Sequence, residues 1–145
     1  MIRRLLQKKS RGQAIVEFTL MLPIIIVLVG GLTDFGLAFF VGIATQNAVR
    51  EGARVAATTT GLGANNSTVA STVTRGIPDV AQFPATELTV TNTAPTGSAT
   101  TCDGIVTVQA SGTYHFAFLK YISFNTQSII RSATMRYEAG RPLCT

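Results

Sequence analysis

The spacing of apolar and polar residues falls into three regimes along this chain of 145 residues. Between Ala14 and Thr33 the only ionisable residue is Glu17. A continuous apolar run of about twenty residues is what a helix needs to cross about 30 Å of hydrocarbon. Past Asp34 polar side chains return at helical spacing, so the pattern predicts one long helix from Ala14 to about Thr58, apolar all round in its first half and amphipathic in its second. Pro23 lacks the amide hydrogen that would reach the carbonyl of Thr19 and crowds that carbonyl, which predicts a kink; Gly30-Gly31 adds a second soft point. Ala44, Ala48, Gly52 and Ala56 recur every fourth residue. Such a stripe lets another backbone approach closely, either the chain's own sheet or a second subunit.

Thr58-Thr59-Thr60-Gly61-Leu62-Gly63 ends this helix. Asn66 or Ser67 can cap a short second helix from about Thr68 to Arg75, with Val69 and Val73 on one side and Gly76 and Pro78 beyond its end. From Thr86 the period becomes two. Thr86 to Asn92 predicts a strand with Leu88 and Val90 on one face. Ile105 to Leu119 predicts a longer one, with Val106, Val108, Ala110, Tyr114, Phe116 and Phe118 pointing one way and Thr107, Gln109, Ser111, Thr113 and His115 the other. Gly112 on the apolar side suggests a bulge or bend. Ile129 to Glu138 predicts a third strand, with Ile129, Ala133, Met135 and Tyr137 on one side and Arg131 as the exception. An antiparallel sheet with one wet face must cover the other, and Phe39, Phe40, Ile43 and Val49 of the long helix are the available cover. The expected fold class is α+β: a long N-terminal transmembrane helix that continues into a small antiparallel sheet domain.

Charge refines the picture at the N-terminus. Arg3, Arg4, Lys8, Lys9 and Arg11 precede the apolar run without an acid among them, and the remaining residues balance at seven basic against seven acidic. The overall positive charge therefore reports membrane orientation, with the N-terminus cytoplasmic and everything after Asp34 outside. It does not indicate nucleic acid, for no basic patch with interleaved aromatics follows. A secretory signal peptide would have a shorter apolar region ending in a small-residue cleavage site, and no such site follows this one.

A carboxylate in hydrocarbon costs about 2.5 to 3.5 kcal/mol, so Glu17 needs a partner, or a shallow position among headgroups where it faces water. Cleavage after Gly12 would make Gln13 the new amino terminus, whose protonated amine on a neighbouring copy could pair with Glu17. Glycine at the cut, Glu17 at the fifth mature position and Phe18 at the sixth resemble the class III prepilin and pseudopilin signature. Three blocks in order, Gln13-Ala14-Ile15-Val16-Glu17-Phe18-Thr19-Leu20-Met21-Leu22-Pro23, then Asp34-Phe35-Gly36, then Gln46-Asn47-Ala48-Val49-Arg50-Glu51-Gly52-Ala53-Arg54, together resemble the TadE-like family. Ser132 to Glu138 is similar to the family's ending.

The resemblance implies a pilin-like, non-enzymatic subunit of the tight-adherence (Tad, or Flp) pilus machinery. It would be cut after Gly12 by a prepilin peptidase and partnered by other pilin or pseudopilin subunits and by the bacterial inner membrane. It implies a processing site at Gly12, Gln13, Glu17 and Phe18. Glu17 joins the small-residue stripe of Ala44, Ala48, Gly52 and Ala56 as candidate assembly or packing residues. The expected division is a leader over 1–12, the membrane half of the helix over 13–34, its outer half over 35–60, and an exported domain over 61–145. The alternative is a permanently anchored single-span envelope protein with an exported binding domain, its leader still attached. A major pilin is disfavoured by the size of the sheet domain.

Cys102 and Cys144 both fall in the exported part, where an even count favours a disulfide over two unpaired thiols. Closing that loop would contribute about 4 kcal/mol on the chain-entropy account. Catalysis is not expected, because Asp79, Glu87, Asp103 and Glu138 are scattered, His115 stands alone on a polar strand face, and no nucleophile or phosphate-binding motif appears. Two cysteines and one histidine do not make a usual zinc site, and no cofactor or small-molecule substrate is implied. Asp34 reads as a marker of the outer membrane surface, and Arg50, Glu51 and Arg54 as a local ion-pairing group on a wet helix face.

Overall fold

The computed structural model describes residues 10–95 and 104–139. Helix α1 runs from Ser10 to Thr58, 49 residues without interruption, passing through Pro23. Thr19, Thr33 and Thr45 turn their hydroxyls back to the carbonyls of Ile15, Val29 and Val41, at 2.8, 2.9 and 2.7 Å, which satisfies them within the helix. Helix α2, Ser67–Gly76, starts at Asn66, whose Oδ1 accepts from the amides of Thr68 and Val69; Val69 and Val73 are fully buried, as their spacing predicts.

Strands β1 (Thr89–Asn92), β2 (Ile105–His115) and β3 (Thr126–Arg136) form one antiparallel sheet in the order β1-β2-β3. The predicted alternation of β2 is realised, with Val106, Val108, Ala110 and Tyr114 buried. The first strand is shorter than its sequence suggests, because Ala85–Glu87 winds into a 3₁₀ turn after Pro84. Gly112 makes no bulge: β2 and β3 pair in unbroken register from Ile105↔Arg136 to His115↔Thr126. A Cβ at Gly112 would instead lie 2.5 Å from Cζ of Phe83, so the glycine makes room for that buried ring.

The core lies between the outer half of α1, α2 and the sheet, around Val41, Val49, Ala53, Val69, Val73 and Val108. Val49 covers the sheet as expected, but Phe39, Phe40 and Ile43 do not: they are 71%, 54% and 63% exposed. The helix turns its small residues inward because α2 and β2 approach too closely for rings. A side chain on Gly52 would collide with Val73, and one on Gly76 would come within 2.8 Å of Ala48 Cβ. Ala48, Gly52 and Ala56 are buried and Ala44 is half-buried, so the close approach that the stripe permits is taken by this chain's own α2 and sheet.

The direction of the strands fixes what lies where. Past β3, the amides of Glu138 and Ala139 donate to the Ala57 carbonyl at 2.9 and 3.0 Å, and Tyr137 Oη donates to that of Thr59 at 2.8 Å. The end of β3 and the start of β2 thus stand beside the C-terminal end of α1. β2 then descends antiparallel to the helix, and its connection to β3 reaches back to Gly30, Gly31 and Asp34.

Candidate functional site

Two places on α1 carry the chemistry. At the N-terminal end, a Cβ on Gly12 would meet nothing within 4 Å among the described residues. One turn on, Gln13 Nε2 donates to Glu17 Oε1 at 3.0 Å on an exposed face, and Phe18 beside it is exposed. Glu17 therefore has a neutral donor within its own chain. A cation would bind the carboxylate more strongly, because the attraction of opposite unit charges adds to the hydrogen bond. Gly12, Gln13, Glu17 and Phe18 share the first two turns of the helix. From Ile15 to Val29 every side chain is exposed, and the first covered residues of α1 are Gly30 and Gly31. α1 is, among the described residues, the one helix long and apolar enough to cross a membrane.

The second place is Asp34, and it is no mere marker of a surface. Its carboxylate is 1% exposed and accepts three backbone amides from the β2–β3 connection: Ala117 N to Oδ1 at 3.1 Å, and Phe118 N and Leu119 N to Oδ2 at 2.7 and 2.8 Å. Three convergent N–H groups satisfy a buried carboxylate in the way a helix cap does, here supplied from another element to the short 3₁₀ turn Leu119–Ile122. Tyr114 Oη donates to the Asp34 backbone carbonyl at 3.3 Å. Burial pushes the Tyr114 phenol up from its ordinary pKa, and the Asp34 carboxylate adds to the shift. Gly30 and Gly31 complete the seat. A Cβ on Gly30 would lie 2.6 Å from the Phe118 ring, and one on Gly31 3.3 Å from Leu119. The glycine pair is thus a docking notch for the β2–β3 connection.

The remaining polar groups are local. Glu51 and Arg54 pair at 3.2 Å on the wet face of α1, as expected. His115 is not alone: its Nε2 lies 2.9 Å from Glu87 Oε2, both side chains being 44% exposed. No periodicity along the chain points to this pair, because Glu87 reaches the strand only through the 3₁₀ turn. No group of three or more metal-ligating side chains occurs among the described residues. Cys102 and Cys144, the predicted disulfide, lie outside the described residues.

A helix left bare along its first half and packed under a three-stranded antiparallel sheet along its second defines an α+β protein with a single candidate membrane helix. The family model described as TadE-like protein matches residues 12–54, the stretch that holds all three sequence blocks, both ends of the Gln13–Glu17 contact, and Asp34. The resemblance read from those blocks is borne out over that stretch. No curated protein and no solved structure matches the chain.

Proposed function

We propose that the chain is a minor pilin or pseudopilin of a Tad/Flp-type pilus assembly system, with no catalytic activity of its own. A prepilin peptidase cuts it after Gly12, and its first helical half holds it in the bacterial inner membrane with the sheet domain outside. The observation that carries this reading is the bare half of α1, which begins directly after the basic leader and lies within the TadE-like match over residues 12–54. The new amine at Gln13 of one copy pairs with Glu17 of a neighbour, replacing the amide donor that Glu17 has within its own chain. With Ala48, Gly52 and Ala56 covered, lateral contact falls to the outward face of α1, where Phe39, Phe40 and Ile43 extend the apolar surface beyond the span.

The test is the intact mass and N-terminal sequence of the membrane-extracted protein, with and without the host's prepilin peptidase. A start at Gln13 that depends on the peptidase supports the proposal. A start at Met1 in both samples leaves the permanently anchored envelope protein, and a start beyond Asp34 overturns both. Gly12→Leu should accumulate as uncut, membrane-held precursor. Since a side chain at position 12 meets nothing among the described residues, a block would lie with the peptidase and not with misfolding.

A further inference from the structure

The β2–β3 connection exposes Phe118, Tyr121, Ile122 and Phe124 at 45%, 80%, 47% and 65%, side by side within seven residues. This is no frayed loop. Its backbone is fastened to Asp34 by three amides, Phe118 and Leu119 are seated on Gly30 and Gly31, and Phe124 N donates to the Leu119 carbonyl at 3.1 Å. A rigid turn that holds four large apolar side chains away from its own core needs an outside partner of matching chemistry.

Position along α1 identifies the partner. The unbroken apolar sequence of the helix ends at Leu32, before Thr33 and Asp34, with Phe35, Phe39, Phe40 and Ile43 exposed only as separate side chains beyond it, and the turn is docked on the glycines just before that end. From Gln13 to Gly31 a helix climbs about 27 Å, close to the ~30 Å of bilayer hydrocarbon. The turn therefore stands at the outer boundary between acyl chains and headgroups. Its composition suits that boundary: Tyr121 has an apolar ring and a polar tip, and Lys120 keeps its ammonium 5.3 Å from that ring's centroid, a cation on an aromatic anchor.

We infer that the turn 118–124 is a second membrane contact, inserting Tyr121, Ile122 and Phe124 into the outer headgroup–acyl boundary of the bilayer that α1 spans, with Lys120 on lipid phosphate. This rests on the reading that α1 spans the membrane. The sheet domain then rests on the bilayer at a fixed height and orientation.

The chain has no tryptophan, so single substitutions report one place each. Tyr121→Trp, Phe124→Trp, Leu28→Trp in the bare span and Thr60→Trp at the far end of the domain are to be made in the full chain. Each is reconstituted in phosphatidylcholine–phosphatidylglycerol vesicles, with and without brominated acyl chains. Blue-shifted emission and loss of intensity to bromine at positions 28, 121 and 124, with neither at 60, is the expected result. Quenching at 28 with water-like emission at 121 and 124 overturns the inference and leaves the spanning helix intact. Blue-shifted but unquenched emission at 121 and 124 overturns it in favour of a protein partner on the turn. Absence of quenching at 28 overturns both the inference and the span on which it rests.

Discussion

Between Ile15 and Leu32, α1 presents leucine, isoleucine and valine to its surroundings; between Val41 and Ala57 what it buries is chiefly alanine, glycine and valine. Burial in a folded core normally selects large apolar residues, and here the order is inverted along one helix. The first half has no partner among the described residues, and its large side chains suit an apolar medium outside the chain. The second half is packed at such short range by α2 and β2 that only small residues fit. Size, not hydrophobicity, therefore tells the two environments apart, and the boundary between them is the Gly30-Gly31-Asp34 notch.

Substitutions should respect that boundary. The largest effect is expected from Asp34→Ala, which strips three buried amides of their acceptor and should destabilise the sheet domain by about 4 kcal/mol, measured by denaturant unfolding in detergent micelles. Asp34→Asn, retaining an acceptor but not the charge, should cost about half as much. If Asp34→Ala unfolds like the parent chain, the two halves are not joined at this notch.

Next comes Gly52→Val, where the new methyl groups meet the stiff Val73: a loss of about 3 kcal/mol is expected in the same unfolding assay. The matching change in the bare half, Leu28→Ala, should move domain unfolding by less than about 0.5 kcal/mol, because the domain does not touch Leu28. Equal costs at the two positions would erase the distinction.

Tyr114→Phe removes one hydrogen bond and should cost about 1 kcal/mol. It also has a pH signature. The folded state holds the Tyr114 proton more tightly than the unfolded chain does, so stability is level below the ordinary phenol pKa of about 10 and falls as pH rises past it. The alkaline loss should shrink in Tyr114→Phe, and an unchanged profile would place the titration elsewhere. The smallest effect is reserved for Arg54→Ala, whose exposed partner Glu51 should hold the change within about 0.5 kcal/mol by thermal unfolding.

Much of this was legible in the residues. The long helix with its apolar first half, the second helix with its cap at Asn66 or Ser67, the alternation of β2 and an antiparallel sheet of three strands all follow from local periodicity and capping chemistry. The face of α1 that meets the sheet did not follow, since its amphipathic outer half carries both large apolar residues and a small-residue stripe, and the short distance to α2 and β2 selects Gly52 and Ala53 over Phe39 and Phe40. Asp34 was read as a surface marker because its three amide donors lie more than eighty positions along the chain. Gly112 suggested a bulge because the reason for it, Phe83, belongs to a loop with no periodicity to place it. The Glu87–His115 contact likewise depends on a turn that follows a proline.

The sheet is fastened to α1 at two heights: at Asp34 below, and at the carbonyls of Ala57 and Thr59 above. Asp34 and Ala57 are about 35 Å apart along a helix, and β2 and β3 span the distance as a paired ribbon. The domain is thus a splint. A pull or bend applied to the outer half of α1 is shared with two hydrogen-bonded strands, while the half below the notch has only its own turns and can flex at Pro23. If the chain acts as the pilus subunit proposed above, deformation would concentrate in the segment below the notch, and the sheet domain would travel as a rigid load.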